Sequence, residues 1–126
     1  MLIDTDVLIW YMRGNEKARR VIKISNGFSI SVLTYMELVQ GLRNKKELNV
    51  LRNSLKGWNA EIIYINEEIS TKAMFLVEQY YLSHSIQLAD ALIGATAVIY
   101  GQPLLTSNTK HYKIIKNIIL RKFRPN

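Results

Sequence analysis

The first ten residues, MLIDTDVLIW, limit the fold more than any other stretch of the chain. An apolar run meets Asp4, a second acid follows at Asp6, and the apolar run resumes at Val7. A short apolar run ending in an acid reads as a buried parallel strand, whose last residue is delivered to the carboxyl edge of a sheet. Open α/β folds bind their ligands at that edge. The two acids have two readings. As caps, Asp4 or Thr5 opens the next helix and Asp6 sits in its first turn against the macrodipole. As a site, they are paired carboxylates with perturbed protonation. Capping accounts for one acid more easily than for two, in a chain with three aspartates.

The rest of the sequence supplies an α/β frame for that edge. Helices are expected over 6–12, over 16–24 behind Asn15, over 31–43, over 44–58, and from Asn66 onward. Strands are expected at 28–31, 61–65, 104–106 and 118–120, with turns at Asn26–Gly27 and Gly101–Pro103. Strands alternating with helices predict a parallel sheet with helices on its faces. The 126 residues fit one domain, 1–126, with no linker or repeat.

Two further acids stand among apolar neighbours. Thr34, Glu37 and Gly41 form a narrow stripe on an otherwise apolar helix; Thr34 and Glu37 also match a capping box, although Val32 and Leu33 already read as helix. Asp90 lies in IQLADALIGATAVIY, a segment apolar around the whole cylinder and so expected to be a buried helix. A charge there costs several kcal/mol unless it is paired or bound to a cation. A first-turn position, or a buried partner, is the plainer account of Asp90. Glu67 and Glu68 serve a helix dipole, and His84 and His111 read as solvated loop histidines.

Composition narrows the chemistry. With no cysteine, disulfides, thiolate metal sites and cysteine nucleophiles are excluded. The net charge is +7, and residues 110–126 hold six Lys and Arg and no acid, which suggests a polyanionic partner such as nucleic acid. No signal-peptide layout or membrane-length apolar run is present, so a cytoplasmic chain without membrane contact is expected. In a parallel sheet, Asp4, Glu37 and the 106–108 loop follow strand carboxyl ends, with Asp90 near a helix start. Like charges about 4 Å apart repel by roughly 4 kcal/mol at an effective dielectric near 20, so converging acids need a cation. An all-oxygen donor set selects Mg²⁺ or Mn²⁺. Such a site beside basic surface suits phosphodiester hydrolysis.

Asp4 in LIDTDVL, Glu37 in TYMELVQG, Asp90 in LADALIGATA and the stretch LLTSNTKHY together resemble the successive motifs of PIN-domain ribonucleases, VapC toxins above all. The resemblance implies a three-layer α/β/α sandwich around a five-stranded parallel sheet, and Mg²⁺- or Mn²⁺-dependent endoribonuclease activity on RNA. It also implies a homodimer and a small cognate antitoxin. Carried over by position, Asp4 and Asp90 hold the metal, and Glu37 acts on it directly or through water. Asp6 replaces an Asn common in the family and adds negative charge. The fourth acid of the last motif is absent; Asn108 is left to ligate or orient water, and His111 is the histidine of that motif. Two other readings stay open. One is a haloacid-dehalogenase-type phosphatase with Asp4 as nucleophile and Asp6 as acid/base, although no acid follows residue 90. The other is a non-catalytic RNA-binding module.

Overall fold

Successive side chains of a strand point to opposite faces, so a two-residue strand can feed two cores. In the computed structural model, which describes residues 1–126, the first strand β1 (Leu2–Ile3) does this. Leu2 enters one apolar cluster and Ile3 the other, both with no exposed surface. The strands β2 (Ser29–Ser31), β3 (Glu61–Ile63), β4 (Leu104–Thr106) and β5 (Leu120–Lys122) complete one sheet in the order β3-β2-β1-β4-β5. Every neighbouring pair is parallel, with Leu2 opposite both Ser29 and Leu104.

Seven helices cover the two faces: α1 (Thr5–Met12), α2 (Glu16–Ile24), α3 (Val32–Gln40), α4 (Lys45–Gly57), α5 (Glu67–His84), α6 (Leu88–Ile99) and α7 (Thr109–Tyr112). On one side, Val7, Leu8, Ala18, Ile22, Leu38, Leu51 and Leu55 pack with Ile3, Ile30 and Leu105. On the other, Ile69, Ala73, Leu76 and the small-residue face of α6 pack with Leu2 and Leu104. This is the three-layer α/β/α sandwich expected from the sequence.

Helix starts follow short polar caps. Asn15, Asn44 and Asn66 each accept the N–H three residues on, at 2.9 Å. The start of α3 is capped by Ser31, whose hydroxyl accepts from the Leu33 N–H at 3.1 Å, so Thr34 and Glu37 are not a capping box. Both side chains are released toward the carboxyl edge of β2.

Four expectations are corrected. The last strand lies at 120–122, not 118–120: Ile119 already accepts from the Leu104 N–H at 2.8 Å, and Phe123 anchors the strand's far end in the core. The edge strand thus lies within the basic segment 110–126, whose end is held where Asn15 Nδ2 donates to the Pro125 carbonyl at 2.9 Å. The polar loop after β4 contains the helical turn α7. α6 is not buried throughout, because Leu88 and Tyr100 at its ends are exposed. His84 closes α5 rather than lying in a connection, its Nδ1 2.7 Å from Ser83 Oγ.

The anchoring role of Phe123 is measurable. Phe123→Ala should lower unfolding free energy in urea by roughly 3 kcal/mol or more, as for a buried aromatic, while Lys122→Ala stays within about 0.5 kcal/mol. Equal effects would show that the segment after β5 carries no core.

Candidate metal centre

Strand order reverses on either side of β1, because β2 and β3 lie to one side and β4 and β5 to the other. The gap between β1 and β4 at their carboxyl ends is the switch point where α/β sheets open a crevice. Asp4 follows β1 directly and Ser107 follows β4, so both candidate segments meet there.

Asp4 is 6% exposed and takes three donors. Its Oδ1 accepts the Thr5 N–H at 2.8 Å, which makes it the N-cap of α1. Its Oδ2 accepts from Thr106 Oγ1 at 2.8 Å and from the Tyr112 hydroxyl at 2.9 Å. Capping and site readings therefore both hold for this residue. Burial, then the neighbouring charge of Asp6, pushes the Asp4 carboxyl up to about 6 from 3.8, against the lowering effect of its hydrogen bonds. Burial also pushes the Tyr112 hydroxyl up, aided by the negative charges of Asp4, Asp90 and Asp6, so Tyr112 stays a donor.

Asp6 faces the loop after β4. Its Oδ2 accepts the Ser107 N–H at 2.9 Å, the Ser107 hydroxyl, and Asn108 Nδ2 at 3.3 Å. Its Oδ1 is buried with no hydrogen-bond partner. Glu37 joins through Thr5, whose hydroxyl donates to Oε1 at 2.7 Å. That hydroxyl has one proton, so Thr34 supplies the proton of the 3.0 Å Thr5–Thr34 contact. Asp90 stands in the first turn of α6; its Oδ2 accepts the Gln87 N–H at 3.4 Å, and its Oδ1 lies 3.6 Å from His111 Nδ1. Its side chain is 15% exposed.

The acids named from the sequence thus form one connected arrangement rather than a finished ligand shell. Asp4, Asp6 and Asn108 meet across the switch point, Glu37 is tied to Asp4 by Thr5, and Asp90 is tied to it by the consecutive residues His111 and Tyr112. No three His, Asp or Glu side chains are gathered closely enough to hold an ion as they stand. Yet the donor set fits a hard cation. The ion pairs in the chain are Arg43–Glu47 and the His111–Asp90 contact, so Asp4, Asp6 and Glu37 have no basic partner. Unpaired, desolvated carboxylates and an orphaned buried oxygen are what a divalent cation relieves, and all-oxygen donors suit Mg²⁺ or Mn²⁺. A separate groove of 610 Å³, floored by Leu51 and Trp58 and rimmed by Arg19, Arg43 and Lys46, contains none of these acids.

Sequence reasoning missed the hydroxyls. Thr106, Ser107 and Tyr112 hold Asp4 and Asp6 from positions about a hundred residues away, Thr5 holds Glu37 across 32 residues, and Ser, Thr and Tyr carry no local signature of that role. His111, expected to be solvated, keeps its ring half-exposed but turns one nitrogen toward Asp90.

The PIN domain family matches residues 1–117. Ribonuclease VapC1 of Methanocaldococcus jannaschii is 36% identical over 122 residues, covering 96% of this chain and 85% of the relative. Among solved structures, a toxin-antitoxin complex from Klebsiella pneumoniae is similar at 28% identity and a TM-score of 0.74, covering 99% of this chain and 97% of that one. A DNA-bound VapBC from Salmonella typhimurium shares the fold, with a TM-score of 0.83 at 19% identity over 96% of both chains. The fold is that of the PIN domains. The chain belongs to that family, on its VapC branch.

The buried charge of Asp4 has a measurable consequence. Its folded carboxyl titrates near 6 against 3.8 in the unfolded chain, so the folded state binds the proton more tightly. Stability is therefore lost as pH rises from about 3.8 through 6, by up to about 3 kcal/mol in metal-free protein. Asp4→Asn should unfold at a higher urea concentration than wild type at pH 7.5 in EDTA, with the gap closing below pH 4. A less stable Asn variant at pH 7.5 would contradict the assignment.

Proposed function

We propose that this chain is a divalent-metal-dependent endoribonuclease and the toxin of a toxin–antitoxin pair. The observation that carries the reading is Asp4, buried without a basic partner at the sheet's switch point beside Asp6, in a chain whose relatives are named ribonuclease VapC. Asp4 and Asp90 would hold Mg²⁺ or Mn²⁺, and Glu37 would act on it directly or through water. A bound ion of this kind supplies a water of lowered pKa and stabilises charge developing at phosphorus.

The chain's own residues do the positioning. Thr5 couples Asp4 to Glu37, so the two carboxylates move as one unit. Asp6 fixes the loop after β4 through Ser107 and Asn108, and so fixes α7 beside the acids. Lys110 and Lys113, on and just beyond α7, are exposed and close in sequence to His111 and Tyr112; they are suited to hold RNA phosphates. Residues 1–126 act as one nuclease domain. A structural relative solved as a toxin-antitoxin complex supports a small antitoxin as partner, and the working assembly we propose is a homodimer. No helix is long and apolar enough to cross a membrane.

A phosphatase with Asp4 as covalent nucleophile is disfavoured by the site. Asp4 Oδ2 already accepts two hydroxyl donors, and Asp6 is committed to the loop after β4 rather than free as an acid/base.

Cleavage of a labelled single-stranded RNA should require added Mg²⁺ or Mn²⁺. Asp4→Asn, Glu37→Gln and Asp90→Asn should each reduce the cleavage rate by at least about a hundredfold, a barrier increase of about 2.7 kcal/mol, without loss of fold. Undiminished cleavage in excess EDTA would defeat the proposal.

A further inference from the structure

We infer that Tyr112 and Thr106 are positioning residues that leave Asp4 one free lone pair, on Oδ1, and so set the crevice for a small octahedral cation over Ca²⁺. The inference rests on the metal-dependent reading above and deepens it by naming the oxygen and the ion preference.

A carboxylate has about four lone-pair sites, two on each oxygen. Both sites on Asp4 Oδ2 are filled, by Thr106 at 2.8 Å and by Tyr112 at 2.9 Å. One site on Oδ1 is filled by the Thr5 N–H at 2.8 Å. A single site remains. Neither hydroxyl has another use for its proton. Thr106 Oγ1 accepts the Asn108 N–H at 3.0 Å and donates only to Asp4. Thr106 is 0% and Tyr112 2% exposed, so water does not compete.

The Tyr112 ring is also held in place. It sits against α6 at Gly94, where an added Cβ would collide with Ile115 Cδ1 and touch Tyr112 Cδ1 at 3.5 Å. The ring thus packs against α6 at ordinary van der Waals distance, and α7 delivers the hydroxyl to Asp4. A carboxylate tied in this way is a one-oxygen ligand. Mg²⁺ and Mn²⁺ suit an octahedron of single oxygens, whereas Ca²⁺ often takes both oxygens of a carboxylate in a larger, looser shell.

Tyr112→Phe opens one site on Oδ2, and Thr106→Val opens the other, each with little change of shape. Titration calorimetry of the purified full chain with MgCl₂ and with CaCl₂ reads the preference directly, with urea unfolding confirming that each variant is folded. Partners that orient a ligand typically move metal affinity about 10–100-fold. The ratio of Mg²⁺ to Ca²⁺ affinity should fall at least about fivefold in Tyr112→Phe and further in the double variant. A ratio within about twofold of wild type in a folded variant, including an equal loss for both ions, overturns the inference while leaving the metal-dependent reading standing. If Tyr112→Phe does not fold, Thr106→Val alone carries the same expectation and the same refutation. Wild-type protein that takes up neither ion would overturn both.

Discussion

Everything at the carboxyl edge of this sheet is arranged around one buried charge, the Asp4 carboxylate. A carboxylate with 6% of its surface exposed and no basic partner is costly, and hydrogen bonds recover only part of that cost. Its three donors come from three places: the backbone of α1, the end of β4, and α7. Two of them arrive across more than a hundred residues of sequence. Asp4 thus does two things at once, capping a helix and tying β1 to the segment that follows β4.

The fold makes this possible through parallel order and short strands. With β1 central, its carboxyl end has β2 on one side and β4 on the other, so α3 brings Glu37 from one flank and α7 brings Tyr112 and His111 from the other. Tyr112, the last residue of α7, packs against α6 at Gly94 and reaches Asp4 with its hydroxyl. Consecutive residues on a helical turn point about 100° apart. His111 and Tyr112 therefore address Asp90 and Asp4 from one short element. A cation in the crevice would supply the positive charge that none of these side chains provides.

Much of this was legible in the sequence because burial leaves a trace in composition. An apolar run interrupted by an acid is rare enough to mark Asp4 and Asp90, and a polar stripe on an apolar helix marks Glu37. The layered α/β frame followed from the same apolar runs. What stayed hidden was relational. The Thr106 and Tyr112 hydroxyls look like any others until the sheet brings β4 beside β1. The last strand was misplaced by two residues because Ile118–Leu120 is the most apolar part of its segment, whereas pairing with β4 and the burial of Phe123 decided the register. Asp90 looked deeply buried because its neighbours are apolar, yet the first turn of a helix leaves its carboxylate partly open beside His111.

If the unpaired acids at the switch point hold a divalent cation, Asp4 offers it Oδ1 while Oδ2 stays with its hydroxyls. Crystals of the protein soaked in MnCl₂ and measured at an energy where manganese scatters anomalously test it most directly. An anomalous peak is expected in contact with Asp4 Oδ1, with Tyr112 and Thr106 still bonded to Oδ2. Manganese bound elsewhere and absent from this crevice, or bound to both oxygens of Asp4 with the hydroxyls displaced, would contradict it.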